Sequence, residues 1–510
     1  MDSACLIHSK FSSNHSLATR QVTLIMKGEI LNIKELGKLG FNAKPLWMFL
    51  VIAICVAFSL RTLLLIDAST LWGDELYTVG KSFLPSFRGM LGNLKGDMHP
   101  PLYDISLWVW GRLLGQSPVT LRLFSWLTYL AAGFIMVRQA SVLSGASPRV
   151  VAIAMLFSFC SPYPIRFAIE GRSYSLLVFL VALLWWWRNA ENRVFYGVAA
   201  GLAGLTHFYG MAIVLAVATW DGLKRRWDFV SPALLGVIPG LAYIFYAFDH
   251  LSTSGQASWI PRPSYGLFEE ILARGIGIWP LPKLAIFALL IVILRRCGGL
   301  NICRRSKLPL LDRCGVMPSL LMVFGVVTIS FIKPIAFSRY FVVLTPAAIP
   351  FLANQLGSWD LNRFGRSCCL FVLGLLLASW WGPGFADLDT GVSGIRESDQ
   401  FRSVSQRTSG LVNRFSPRAR MFNLSDHMEL SMGRIPLDPE PWGNYSDLKS
   451  LLESSPLPKE LWLANSSTSA NRQLTALQSY QDQVESVGFT CHDRSADLSH
   501  ARILQCEYIP

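Results

Sequence analysis

The chain has 510 residues, of which 52% are hydrophobic and 15% charged, with a mean hydropathy of +0.38. Soluble domains carry about a quarter charged residues, so this composition excludes a soluble globular enzyme and reads as an all-α polytopic membrane protein. The net charge of +13 does not call for nucleic acid, because Lys and Arg collect in the cytoplasmic loops of membrane proteins; no nucleic-acid partner is expected.

Residues 1–45 are polar and carry Lys10, Arg20, Lys27, Lys34, Lys38 and Lys44 before the first apolar run begins at Leu46. No small-residue cleavage site follows that run, so it reads as a cytoplasmic tail and an uncleaved first span, with Met26 an alternative start. Spans need roughly 17 to 25 apolar residues, and candidates fall at 46–66, 119–138, 149–166, 173–188, 194–206, 208–221, 230–248, 281–295, 316–332, 340–357 and 367–382. That makes about eleven, some of them short enough to need a locally thinned bilayer.

Segment 101–115 is apolar too, but it is better placed as an interfacial helix inside a large first loop, 67–118. Arg138 with Arg149, Arg188 with Arg193, Lys224 to Arg226, Arg295 to Arg313, and Arg363 with Arg366 then share one side with the basic N-terminus. By the positive-inside rule that side is cytoplasmic, and loop 67–118, turn 166–172, loop 249–280, turn 333–339 and the C-terminal tail lie outside. Residues 194–221 must then leave and re-enter, as two short helices meeting at 206–209; one long helix is the alternative. Trp185, Trp186 and Trp187 read as an interfacial aromatic belt.

From 383 the composition turns to Ser, Asp, Arg and Pro, predicting a small soluble α/β domain of about 125 residues. ELWLANSS at 460–467 reads as a strand, 469–487 as a helix, and VGFTCHDRS with ARILQCEYI as a strand pair. Among the ten cysteines there is no CxxC pair or zinc spacing. In an oxidising compartment Cys491 and Cys506 could pair across those strands; in the cytosol they would stay free.

The chemistry-bearing residues gather on the outer side. Asp74 and Glu75 follow the first span between the interfacial aromatics Trp72 and Tyr77. Glu170 and Arg172 end the third span, as an internal ion pair or as functional groups, the default for charges at membrane level. Arg172, Arg262, Lys333 and Arg339 are cations on the outer side, and Arg262 and Arg339 are also suited to interfacial anchoring. His99 and His207 have either structural roles or a share, with Glu170 or Asp74, in a divalent ion such as Mg or Mn. Pro100 and Pro101 block helix continuation and start the interfacial helix at Leu102.

The DE pair, HPPLY at 99–103, RFAIEGRSYSLL at 166–177, LTHFYG at 205–210, WIPRPS at 259–264 and SRYFVVLTPA at 338–347 occur in that order. Together, over residues 46–382, they resemble bacterial integral-membrane glycosyltransferases of the C-type fold. That group includes protein O-mannosyltransferases, the lipid A aminoarabinose transferase and rhizobial lipopolysaccharide sugar transferases. The resemblance implies transfer of a sugar from a polyprenyl-phosphate donor, at the membrane lipid surface, to a glycolipid, polysaccharide or protein acceptor, with inversion. Asp74 matches the catalytic base, Glu75 and Glu170 its acidic companions, and His99, Tyr103, His207 and Tyr209 fall in the strings expected to contact substrate; Arg172, Arg262, Lys333 and Arg339 are then the candidates for holding the donor phosphate. A transporter or flippase for lipid-linked sugars is the alternative, although no internal repeat is visible.

Overall fold

The computed structural model describes residues 46–66, 73–97, 99–253, 260, 262–268, 271, 291, 300–301, 308–384, 420–423, 445–466, 470–494 and 501–508. The chain divides into two units, 1–50 and 51–510; everything below concerns the second, apart from the first residues of α1. Of the expected span over 281–295, only residue 291 is among the described residues.

The helices run in chain order: α1 (Leu46–Leu65), α2 (Gly73–Ser82), α3 (Phe87–Leu94), α4 (Leu102–Leu114), α5 (Pro118–Leu143), α6 (Pro148–Cys160), α7 (Pro162–Arg166), α8 (Tyr174–Asn189), α9 (Arg193–Thr206), α10 (Phe208–Leu223), α11 (Trp227–Tyr246), α12 (Phe248–Thr253), α13 (Leu308–Arg313), α14 (Val316–Ile332), α15 (Thr345–Gly357) and α16 (Arg363–Ser379). Two 3-10 segments matter to the site, Phe167–Ile169 after α7 and Ser338–Leu344 before α15. Among the described residues five helical stretches are long and apolar enough to cross a membrane, 46–65, 118–143, 227–246, 338–357 and 363–382. Helices α6, α8, α10 and α14 are shorter but equally apolar.

Helix α8 is the axis of this arrangement. It is apolar all round, the mark of a helix buried on every side. Leu177, Val181 and Leu184 pack into one core with α9, α10 and α11, while Tyr174, Val178 and Ala182 pack into a second core with α5, α6 and α15. Trp185 belongs to the first core and is fully buried, so it is a packing residue and not part of the interfacial belt expected for 185–187. Helix α16, in contrast, exposes Phe364, Leu370, Phe371 and Leu375, a surface suited to lipid.

Residues 194–221 form two helices with His207 between them. Close packing of α9 on α11 rests on small residues: a Cβ at Gly236 would meet Gly197 O at 2.8 Å and Gly201 N at 2.9 Å. Such backbone approach replaces hydrophobic driving force inside a bilayer. The GxxxG spacings at 197–201 and 236–240 are a signal the sequence carries.

Each end of α8 bears a buried arginine. At the C-terminal end, Arg188 Nε and Nη2 donate to Asp221 Oδ2 and Oδ1 at 3.0 and 2.6 Å, and Nη1 and Nη2 donate to the backbone and side chain of Asp312 at 3.0 Å each. Trp220 Nε1 adds a bond to Asp312 Oδ1 at 2.6 Å. This network ties α8, α10 and α13. Arg188→Ala leaves the buried Asp221 carboxylate with Arg226 Nη1 at 3.7 Å in place of its two short guanidinium bonds and is expected to destabilise by roughly 3–5 kcal/mol, read as a lowered melting temperature of the detergent-purified protein; an unchanged transition would exclude a stabilising role.

In the tail, β3 (Arg420–Asn423), α17 (Tyr445–Leu452), β4 (Glu460–Ser466), α18 (Ala470–Glu485), β5 (Phe489–Asp493) and β6 (Ala501–Tyr508) make a mixed sheet of order β3-β4-β6-β5. Only the β3–β4 pair is parallel. Leu461, Leu463, Leu477, Val484 and Leu504 share its core, because alternate strand residues face the helix. Cys491 lies opposite Cys506 in the β5–β6 register, and the two form a disulfide. The remaining strands, β1 (Leu300–Asn301) and β2 (Asp360–Leu361), form a short antiparallel pair.

Candidate active site

The N-terminal end of α8 faces the first turn of α2, where Asp74 and Glu75 take the position favoured for acids at a helix start. The two carboxylates diverge. Glu75 turns inward, is fully buried, and accepts from Arg122 Nε at 2.9 Å, Arg122 Nη2 at 2.6 Å and the Gly171 N–H at 2.6 Å. Arg122 Nη1 also donates to Ile66 O at 2.9 Å. A charge removed from water survives only when paired and hydrogen-bonded, and here the pairing ties the end of α1, α2, α5 and the 170–173 turn together. Gly171 permits the approach, since a Cβ there would lie 2.4 Å from Leu121 Cγ.

That clamp sets the residues beside it. Asp74, next to Glu75, brings Oδ2 to 3.1 Å from Arg339 Nη1 and 3.8 Å from Arg172 Nη2. Arg172, next to Gly171, also donates through Nη1 to Asp74 O and Thr78 Oγ1, each at 3.0 Å. The Asp74 side chain is 33% exposed, against 9% for Arg172 and 20% for Arg339. One accessible carboxylate thus stands between two guanidinium groups drawn from turns far apart in the chain.

Glu170 and His207 adjoin this group. Glu170 Oε1 accepts from Arg166 Nε at 2.8 Å. Around His207 the rings of Tyr340, Tyr209, His99 and Tyr174 lie at centroid distances of 5.1, 5.7, 5.7 and 5.9 Å. Tyr209 donates its hydroxyl to Ile335 O at 2.9 Å. His99 is oriented by Asp97, whose Oδ1 accepts the His99 N–H at 3.2 Å and lies 3.4 Å from His99 Nδ1. Asp97 is itself paired with Lys81 at 2.5 Å. Burial alone would raise the Asp97 carboxyl, but the His99 hydrogen bond and the Lys81 charge outweigh it and hold it below the ordinary carboxylate range. Asp104 accepts from Ser82 Oγ at 2.6 Å, and burial pushes its carboxyl up.

The remaining expected residues go elsewhere. Tyr103 is buried in the first core with its hydroxyl 3.5 Å from Ser125 Oγ, so it supports the wall from behind. Arg262 and Lys333 are exposed and make no ion pair or hydrogen bond with the cluster among the described residues. No three His, Cys, Asp or Glu side chains among the described residues stand together as a metal-binding group; Glu170 turns to Arg166, His99 to Asp97 and His207 Nδ1 to a backbone N–H. His99, Glu170 and His207, the residues considered for Mg or Mn, thus each direct one polar atom to a protein partner.

Arg122, Asp97, Lys81, Tyr174 and Tyr340 escaped the sequence reading. A lone Arg in the apolar run PVTLRLFSWL was a signal for Arg122, whereas Asp97 and Lys81 look like ordinary loop charges. Tyr174 and Tyr340 sit inside the quoted strings without any spacing that marks them.

No protein-family model matches the chain, and no curated protein matches it in sequence. Among solved structures, it is similar to ArnT from Cupriavidus metallidurans bound to undecaprenyl phosphate, with a TM-score of 0.54 and 15% identity over 90% of this chain and 98% of that one. The apo form of the same protein aligns with a TM-score of 0.55 at 15% identity, covering 90% and 97%. This chain therefore has a polytopic helical fold similar to that of ArnT.

Proposed function

We propose that the chain is a membrane glycosyltransferase that moves a sugar from a polyprenyl-phosphate donor to a glycolipid, polysaccharide or protein acceptor. The observation that carries this reading is the Asp74 carboxylate, one third exposed and within 3.8 Å of both Arg172 and Arg339. The undecaprenyl phosphate held by the similar ArnT structure supports the lipid donor.

Arg172 and Arg339 bind the lipid phosphate, a role suited to the planar guanidinium fork. Asp74 takes the proton of the acceptor hydroxyl, whose oxygen then attacks the anomeric carbon from the face opposite the phosphate. The bond from that carbon to the phosphate oxygen breaks and polyprenyl phosphate departs as an anion, so no general acid is required. One carboxylate suffices, unlike the acid pair of a glycoside hydrolase.

The arrangement belongs to a bacterial inner membrane, with residues 46–382 as its catalytic part. Arg188, Arg193, Lys224, Arg225, Arg226 and Arg313 collect at the end of the bundle opposite Asp74, which supports a cytoplasmic end there and a periplasmic site. Mass spectrometry of envelope glycans and glycolipids, with and without the protein, tests the reading: one acceptor should lose one sugar when the protein is absent. Identical profiles, together with no transfer from labelled polyprenyl-phosphate hexoses by the purified protein, would refute it.

A further inference from the structure

His207 sits between α9 and α10, 4% exposed, and its Nδ1 accepts the backbone N–H of Tyr209 at 3.1 Å. A nitrogen that accepts carries no proton, so the ring is neutral and its one proton is on Nε2. Burial, with His99, Arg172 and Arg339 nearby, also holds the imidazolium down. Nε2–H is therefore a buried donor, and no described atom accepts from it. Glu170 presents the complementary case: Oε1 is paired with Arg166, while the buried Oε2 has no partner among the described residues. Buried polar groups without partners are rare in native proteins and cost free energy, so each asks for a ligand atom.

The chemistry of that ligand follows from the pair. A phosphate would be repelled by Glu170 and already has Arg172 and Arg339. Sugar hydroxyls both donate and accept, matching one unpartnered acceptor and one unpartnered donor. The half-buried ring of Tyr340, 5.1 Å from His207, supplies an apolar face for the C–H side of a pyranose or furanose. We propose that His207 Nε2–H and Glu170 Oε2 form the sugar subsite, donating to one ring hydroxyl and accepting from another, beside Tyr340. This rests on the transferase reading and names the part of the donor that these side chains recognise.

The test compares two probes, undecaprenyl phosphate and undecaprenyl-phosphate hexose in its glucosyl and mannosyl forms, binding to the full chain in lipid nanodiscs. His207→Asn keeps a side-chain acceptor for the Tyr209 N–H, so α10 stays capped, but withdraws Nε2–H. It should weaken the glycosylated lipid about three- to tenfold more than the bare lipid. Glu170→Gln should shift the ratio in the same direction. Equal losses for the two lipids, or no loss, would overturn the subsite while leaving the transferase reading intact. A wild-type protein that bound neither lipid would overturn both.

Discussion

Asp74→Asn is expected to lower the proposed sugar transfer by about a hundredfold to ten-thousandfold, the range a positioned general base contributes, while the protein still binds the proposed lipid donor. The amide keeps the shape of the carboxylate but cannot take the acceptor's proton. Arg172 and Arg339 remain in place, since Arg172 also donates to Asp74 O and to Thr78 Oγ1 at 3.0 Å each. Single-turnover transfer from a labelled polyprenyl-phosphate hexose, measured beside equilibrium binding of the same lipid, separates the two effects. Unaltered transfer would remove Asp74 as the base, and loss of binding with no slowing of the bound complex would reassign it to lipid capture.

The second large effect concerns stability. Arg122→Ala leaves Glu75 with the Gly171 N–H but without its two guanidinium bonds at 2.9 and 2.6 Å, at a side-chain exposure of 0%. Breaking a buried pair from one side costs roughly 3–5 kcal/mol, a large share of the stability of an ordinary domain. The melting temperature in detergent should fall clearly. Asp74→Asn, at a position one third exposed, should move it much less. If both substitutions destabilise equally, the division of labour between the adjacent acids is wrong; if Arg122→Ala melts like the wild type, the clamp contributes nothing.

That division was not legible in the chain. Asp74 and Glu75 are identical chemistry at successive positions, and either could serve as base. In a helix successive side chains point about 100° apart, so one faces the Arg122 and Gly171 side and the other the Arg172 and Arg339 side. Their partners lie 47 residues away for Arg122 and 265 away for Arg339, beyond the reach of any local pattern. Trp185 misled for a related reason: a Trp run near a helix end looks interfacial unless one knows that α8 is enclosed on all faces.

The hairpin pairing of Cys491 with Cys506 and the break at His207 could be read in advance, because each depends on residues close in sequence. Sequence by itself determined a polytopic helical membrane protein with a mixed α/β tail and charged turns between its helices. Tertiary structure alone decided which acid is buried and which accessible, that Arg172 and Arg339 share Asp74, and which histidine nitrogen keeps its proton. Those outcomes depend on what distant segments place within about 3 Å of each polar atom, a property of packing that no single segment encodes.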